Sequence, residues 1–432
     1  MRAHGHSGGY GAAGSVSPLG ASSPLRSHVL PNGIHVLSEE IPGVRSASVG
    51  VWVRQGTAHE DPAVMGASHM LEHMVFKGTE RRTAKDLALA LEGLGGSLDA
   101  YTSREHTSFQ ARVLDENLPE ALDVLADLAL CPLLRGEDLD LEREVVLEEI
   151  STVDDTPDDL VFELHGERLW GDHPYGYSIL GTRETVGGMA ADTLRGIHRE
   201  RYVGRNLVVA AAGNVQHGPF LEAVERLFGG LEPGARSDHV PAPPVCARGD
   251  ERVRRGGAQS HLVFGTDAPG HADPRRHALV LLSSALGGGM SSRLFQRIRE
   301  ELALAYTVYS FQSFYALAGL TGVYVGTRPS WEGRAVDAVR EELARVAREG
   351  LPAEELEQTK RQVKGQIMLS LESTGARLYR LAGFALYEEA FLDLDALLAR
   401  IDAVTAEEVA AAAATFYDPE RQLLLRLGPE TE

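Results

Sequence analysis

The stretch Gly66-Ala67-Ser68-His69-Met70-Leu71-Glu72-His73-Met74 organises the reading of this 432-residue chain. It carries two histidines four residues apart, with a glutamate immediately before the second. At 3.6 residues per turn, positions 69 and 73 of a helix project from one face, one turn apart. Two imidazoles so placed can share one Zn²⁺, and Glu72 beside them can reach a water on that ion. The order His-x-x-Glu-His inverts the commoner His-Glu-x-x-His arrangement of zinc hydrolases.

Composition narrows the alternatives. A chain of this length suits two domains of about 200 residues better than one core, and an apolar fraction of 43% is ordinary for a folded protein. No apolar run reaches the roughly 18 residues of a membrane span. Cys131 and Cys246 make neither a disulfide framework nor a thiolate site. Histidine and carboxylate therefore remain as ligands, and a reducing bacterial cytoplasm is the expected location. A net charge of −20 argues against nucleic acid and anionic membrane as partners. Residues 1–24, rich in Gly, Ser and Ala and without an apolar h-region, read as a disordered tail rather than a secretory signal.

Outward from the helix, His28 to Leu37 reads as a hairpin turning at Pro31-Asn32-Gly33, and Ser46–Val53 as a strand. A helix is expected over Thr83–Leu94, strands over Ser97–Thr102 and Thr107–Leu114, and helices over Leu118–Leu130, Asp138–Val153, Asp159–Trp170 and Ala191–Tyr202. Leu207–Ala212 reads as a buried strand. The proline-bearing segment 236–250 reads as a linker between a domain at 25–235 and one at 251–432. Beyond it the order repeats, with a strand near His261–Phe264, a helix at His277–Leu286, a glycine loop, strands and two helices. Glu137-Asp138-Leu139, continuing to Val146 and Ile150, lies on Glu354-Glu355-Leu356, continuing to Val363 and Ile367, at one constant offset. The chain is thus an internal duplication. At that offset Glu149 meets Gln366, and His69 and His73 meet Leu286 and Met290, so only the first half can hold metal.

A zinc site needs a third protein ligand and an open position. The best source is the helix Glu142 to Ile150, whose Val145, Val146 and Ile150 mark the expected buried side. Glu142 and Glu149, two turns apart on one stripe, can aim one carboxylate at zinc and the other at a histidine ligand.

These residues resemble the pitrilysin family of zinc peptidases, in its two-domain form typified by mitochondrial processing peptidase subunits, over about residues 28–425. The resemblance rests on Leu30-Pro31-Asn32-Gly33, on His69 to Met74 with Phe76-Lys77-Gly78-Thr79, on Ala100-Tyr101-Thr102-Ser103-Arg104-Glu105 and on Val145 to Ile150. Asp172-His173-Pro174, Ala211 to Val215 and Gly287-Gly288-Gly289-Met290-Ser291-Ser292-Arg293-Leu294-Phe295 carry it further. It implies an α+β fold of two homologous α/β sandwich domains, each a mainly antiparallel sheet with helices on one face.

The same resemblance implies His69, His73 and Glu149 as ligands of one Zn²⁺ per chain, Glu72 as general base and Glu142 as supporting carboxylate. It places Arg299 and Tyr306 as catalytic and substrate-binding residues of the second half, serving a partner's zinc site. Asp99, Ala100 and Tyr101 fall on an edge strand that receives a substrate peptide. Asp99 departs from the family's usual Asn, replacing an amide that donates a hydrogen bond with a carboxylate that does not. The implied activity is zinc-dependent endopeptidase hydrolysis of peptides or unfolded segments inside a dimer chamber. The alternatives are a non-catalytic or scaffold subunit, or the zinc-bearing half of a heterodimer. Retention of both residue sets in one chain favours a homodimer. The glycines at 287–289 lack the Gly-Lys-Ser/Thr of a nucleotide loop, and His106, His165 and His173 are expected in structural or surface roles.

Overall fold

The structure, a computed structural model, describes residues 25–243 and 246–430; the expected tail at 1–24 lies outside them. The first half runs β1 (Leu25–Val29), β2 (His35–Glu40), β3 (Ser46–Val53), α1 (Ala67–Val75), α2 (Ala84–Gly93), β4 (Ser97–Thr102) and β5 (Thr107–Leu114). It continues through α3 (Leu118–Leu130), α4 (Gly136–Asp154), α5 (Pro157–Trp170), α6 (Arg183–Gly188), α7 (Ala191–Arg201), β6 (Leu207–Gly213) and α8 (His217–Phe228). The second half has β7 (Gly249–Arg254), β8 (Ser260–Ala268), α9 (Arg275–Gly287), a π-helical turn at Phe295–Glu301, β9 (Ala305–Phe314) and β10 (Gly319–Thr327). After these come α10 (Glu332–Glu349), α11 (Ala353–Ser370), α12 (Thr374–Leu386), α13 (Leu394–Ala403), α14 (Ala406–Phe416) and β11 (Leu423–Gly428).

The duplication is written in the sheets. The first has strand order β1-β2-β6-β3-β5-β4 and the second β7-β11-β8-β10-β9. In each, one parallel pair, β2 with β6 and β7 with β11, sits beside a run of antiparallel neighbours. This is the expected α+β architecture. The first hairpin closes through a wider connection than a two-residue primed turn, because Val29 pairs with His35. Gly33 takes φ +91° there, and a Cβ on it would lie 2.6 Å from Arg205 Cγ.

Each half's own helices cover one face of its sheet, with β3, α1, α3, α4 and α8 sharing one core and β8, α9, α10 and α14 another. The opposite faces are covered by exchange. Helix α12 of the second half lays Leu378, Leu381, Ala382, Ala385 and Leu386 on Leu37, Trp52, Val208 and Ala210 of the first sheet. Helix α5 of the first half lays Leu160 and Val161 on Val263, Leu425 and Leu427 of the second. Burying each such Leu contributes roughly 1.5–3 kcal/mol. Polar contacts lock the exchange. Ser48 Oγ lies 2.8 Å from Thr374 Oγ1, Arg377 donates to the buried Glu39 at 2.6 Å, and His165 Nε2 lies 3.1 Å from the Leu423 carbonyl.

Helix α8 occupies a stretch that sequence periodicity left unassigned, and three helices follow α11 where none was expected. The described part of segment 236–250 is irregular up to β7, yet held down. Asn206 Oδ1 accepts from Ser237 N at 2.7 Å, and His173 Nε2 lies 2.8 Å from the Pro241 carbonyl. Cys131 and Cys246 are free. Among the described residues no helix is long and apolar enough to cross a membrane.

Candidate metal centre

Helix α1 is fixed at its start by chemistry outside the motif. Gly66, at its N-cap, has φ +90°, and a Cβ there would lie 2.6 Å from the Leu180 carbonyl oxygen. Only glycine fits. The Glu60 carboxylate accepts from Gly66 N at 2.7 Å and Ser68 N at 2.6 Å, taking two of the helix's unpaired donors. Burial raises Glu60 to about 7 against the pull of those bonds. Met70, Leu71, Met74 and Val75 are fully buried, so helical spacing turns His69, Glu72 and His73 together toward the opposite side.

Helix α4 supplies the facing carboxylates. Its buried residues are Leu139, Glu142 and Val146. Val145, expected on the buried side, is 46% exposed. The apolar stripe is narrower than the sequence indicated because Glu142 takes its place against α1.

His69 Nε2 stands 3.7 Å and His73 Nε2 3.6 Å from Glu149 Oε2. Both spans are too long for hydrogen bonds. A tetrahedral zinc with ligands at about 2.0–2.1 Å sets its donors about 3.3–3.4 Å apart, so the three donor atoms fit an ion between them. Among the described residues these are the one group of His, Cys, Asp and Glu close enough to share a metal. Burial, reinforced by His73, lowers His69 to about 4, leaving it neutral near pH 7 as a ligand must be.

Behind these donors, Glu142 Oε1 lies 3.4 Å from His73 Nδ1, and Lys77 forms an ion pair with the other Glu142 oxygen. Thr102 Oγ1 of β4 donates to Glu72 Oε2 at 2.6 Å. Burial raises the Glu72 carboxyl above its usual range, Thr102 opposing it. Sequence spacing assigns no role to Glu60, Lys77 or Thr102. Lys77 and Thr102 sit inside motif stretches, which was the signal available; Glu60 had none.

The remaining predicted residues fall elsewhere. Asp99, Ala100 and Tyr101 lie on β4, the terminal strand of the first sheet. Arg299 and Tyr306 come together in the second half, the guanidinium 4.3 Å from the Tyr306 ring centre and 4.7 Å from that of Phe295. Tyr306 is 77% exposed, and this pair touches none of the donors on α1 and α4. In the glycine loop, a Cβ on Gly287 would lie 2.2 Å from Ser310 N, so that glycine is needed for packing on β9. His106 pairs with the Tyr101 hydroxyl at 2.9 Å, a structural role like those of His165 and His173.

Comparison with known proteins bears on this geometry. Residues 35–183 match the profile of Insulinase (Peptidase family M16), and residues 189–363 that of the Peptidase M16 inactive domain. An uncharacterized zinc protease of Streptomyces coelicolor is 41% identical over 90% of this chain and 86% of its own length. Another, from Bacillus subtilis, is 36% identical over 93% of this chain and 98% of its own. Among solved structures, a peptidase M16 inactive domain from Pseudomonas fluorescens aligns with a TM-score of 0.87 at 20% identity, covering 94% of this chain and 98% of that one. A protease from Helicobacter pylori aligns with a TM-score of 0.85 at 21% identity, covering 94% and 99%. These two likenesses speak for the fold.

Proposed function

The chain belongs to peptidase family M16, the pitrilysin family of zinc peptidases, and on that premise we propose that it is an endopeptidase acting on peptides or unfolded polypeptide segments. The observation that carries the reading is the convergence of His69, His73 and Glu149 on one point, with Glu72 beside them. His69, His73 and Glu149 would hold one zinc per chain, which would supply Lewis acidity and lower the pKa of a water. Glu72 removes a proton from the attacking water and passes it to the leaving amine. Thr102 occupies Oε2 of that carboxylate, leaving Oε1 for the proton. Burial raises its affinity for that proton, which suits a carrier. Glu142 orients His73 through Nδ1, and Lys77 pairs with its other oxygen.

Substrate adds as a further strand on the open edge of β4, along Asp99, Ala100 and Tyr101, where backbone pairing tolerates many sequences. Arg299 and Tyr306 bind substrate carbonyls at the zinc site of a second copy, so that a homodimer encloses the chamber. The exposure of Tyr306, with the Arg299 guanidinium set over its ring, supports that assignment. Free cysteines suit a reducing bacterial cytoplasm. The complete donor set disfavours a scaffold subunit.

Cleavage of unstructured peptides by the purified protein, abolished by a chelator and restored by one equivalent of Zn²⁺, tests the activity. Mixing a Glu72→Gln chain with an Arg299→Ala/Tyr306→Phe chain tests the dimer. Partial recovery is expected from the mixture. No recovery counts against shared sites and leaves a heterodimer with a homologue as the surviving arrangement.

A further inference from the structure

We propose that the seam between the two halves holds a binding site for a phosphate group, carried by a small phosphomonoester or free in solution, with Arg54, Arg205 and Arg236 as the residues that hold it. The inference stands apart from the peptidase reading and needs neither zinc nor a peptide.

The site is a cavity of about 440 Å³ where the β1–β2 hairpin, the end of β3, the segment after α8 and the end of α12 meet. Its volume falls in the ordinary range for small-ligand sites. Arg54, just past β3, is partly buried, while Arg205 and Arg236 are exposed. Val29, Leu207 and Phe384 supply an apolar wall.

A chain of net charge −20 thus sets three arginines around one cavity, and two of them are unanswered. Arg236 forms an ion pair with Glu388 and feels the charge of Asp238. Glu389, also on the wall, is held by Arg276 at 2.8 and 2.9 Å. The Arg54 side chain donates to the Ala385 and Leu386 carbonyls that end α12, and that of Arg205 to the Gly234 carbonyl at 3.4 Å. Among the described residues neither forms an ion pair with a carboxylate. A guanidinium has five N–H donors, so both keep free positions. Burial, then the charge of Arg236, draws Arg54 down to about 9, which leaves it a cation at pH 7. Burial, with Arg54 and Arg236, lowers His35 on the same wall to about 4, so it adds no charge. The buried Ser237 hydroxyl, beside Arg54 in a second space of about 20 Å³, also lacks a partner. The seam carries more donors than acceptors.

Two unmatched guanidinium groups call for two negative charges on a ligand with several acceptor oxygens. A phosphomonoester carries about −1.5 to −2 near pH 7, and planar guanidinium forks take its oxygens in pairs. A carboxylate would answer one arginine and leave the other. An uncharged ligand would answer neither. Arg54 caps a helix of the second half, Arg205 precedes β6 and Arg236 lies between the halves. A phosphate group there ties all three segments together.

Thermal melts of the zinc-loaded full-length protein at pH 8, with inorganic phosphate or phenyl phosphate, test the site against sodium chloride of equal ionic strength. Either phosphate should raise Tm by about 2–4 °C beyond chloride, and calorimetric titration should give one site per chain. Arg205→Ala/Arg236→Ala, at two exposed positions, should weaken the binding by about tenfold or more. Glu388→Gln removes the carboxylate that competes for Arg236 and should tighten the binding by about threefold, a gain that no damaged fold produces. Tighter binding of phenyl phosphate assigns the apolar wall to an organic ligand; equal binding assigns the site to the free anion, and both uphold it. A shift no larger than that of chloride overturns the inference. So does one unchanged in the double variant, as binding at the zinc would give.

Discussion

Glu142 Oε1 stands 3.4 Å from His73 Nδ1, on the side of the ring away from the Nε2 that faces Glu149. The two carboxylates of α4 thus grip one imidazole from both ends, and their seven-residue spacing is what makes this possible. Replacing Glu142 by Gln should weaken Zn²⁺ affinity by about 10- to 100-fold while the fold persists. Competition with a fluorescent chelator measures this, and unchanged affinity would remove Glu142 from the metal centre.

Glu60 tests how the zinc helix is anchored. Glu60→Ala strips the acceptors from two buried N–H groups, at a cost of about 3 kcal/mol in all. A lower urea midpoint and weaker zinc binding should appear together. A stability loss without any change in zinc affinity would mean that α1 is placed by its apolar face alone.

Acid should destabilise the metal-free protein through its buried histidines. Burial is the first cause holding His59, His69, His106 and His165 at about 4 when folded. The unfolded chain takes up their protons near 6.5. Between those values the unfolded state binds more protons, so stability is full above pH 6.5 and is lost as pH falls toward 4. Thermal melts at pH 7 and pH 5 read this directly; equal Tm values would contradict the assigned burial.

Exchange of α5 and α12 should make the two halves unfold as one. Leu381, fully buried on the first sheet though it belongs to the second half, should cost about 2–5 kcal/mol when changed to Ala. The transition should shift yet stay single for every probe. Two separate transitions would show that the halves are independently stable.

The same exchange marks where the sequence stopped being informative. Strands β3, β4 and β5 and helix α3 were legible to the residue, because alternation and helical spacing are local signals. The pairing of α4 with α11 was legible as well, through a constant offset. Which sheet a helix covers is a long-range property, and α12 gives no sign in its own residues that it packs on the other half. At the centre, His69, Glu72, His73, Glu142 and Glu149 came from spacing and resemblance. Lys77, Thr102 and Glu60 did not, since a side chain that supports another shows its purpose only once the partner is in place. Val145 misled because a buried glutamate broke the apolar stripe.

Glu72→Gln offers the most direct measurement of the central claim, with peptide cleavage and bound zinc determined on the same preparations. An amide keeps the size of the side chain and can still pair with Thr102, but it cannot take a proton. The expected result is one zinc per chain in both proteins, with cleavage reduced by about 10²- to 10⁴-fold in the variant. Equal cleavage by wild type and Glu72→Gln, insensitive to a chelator, would contradict the account.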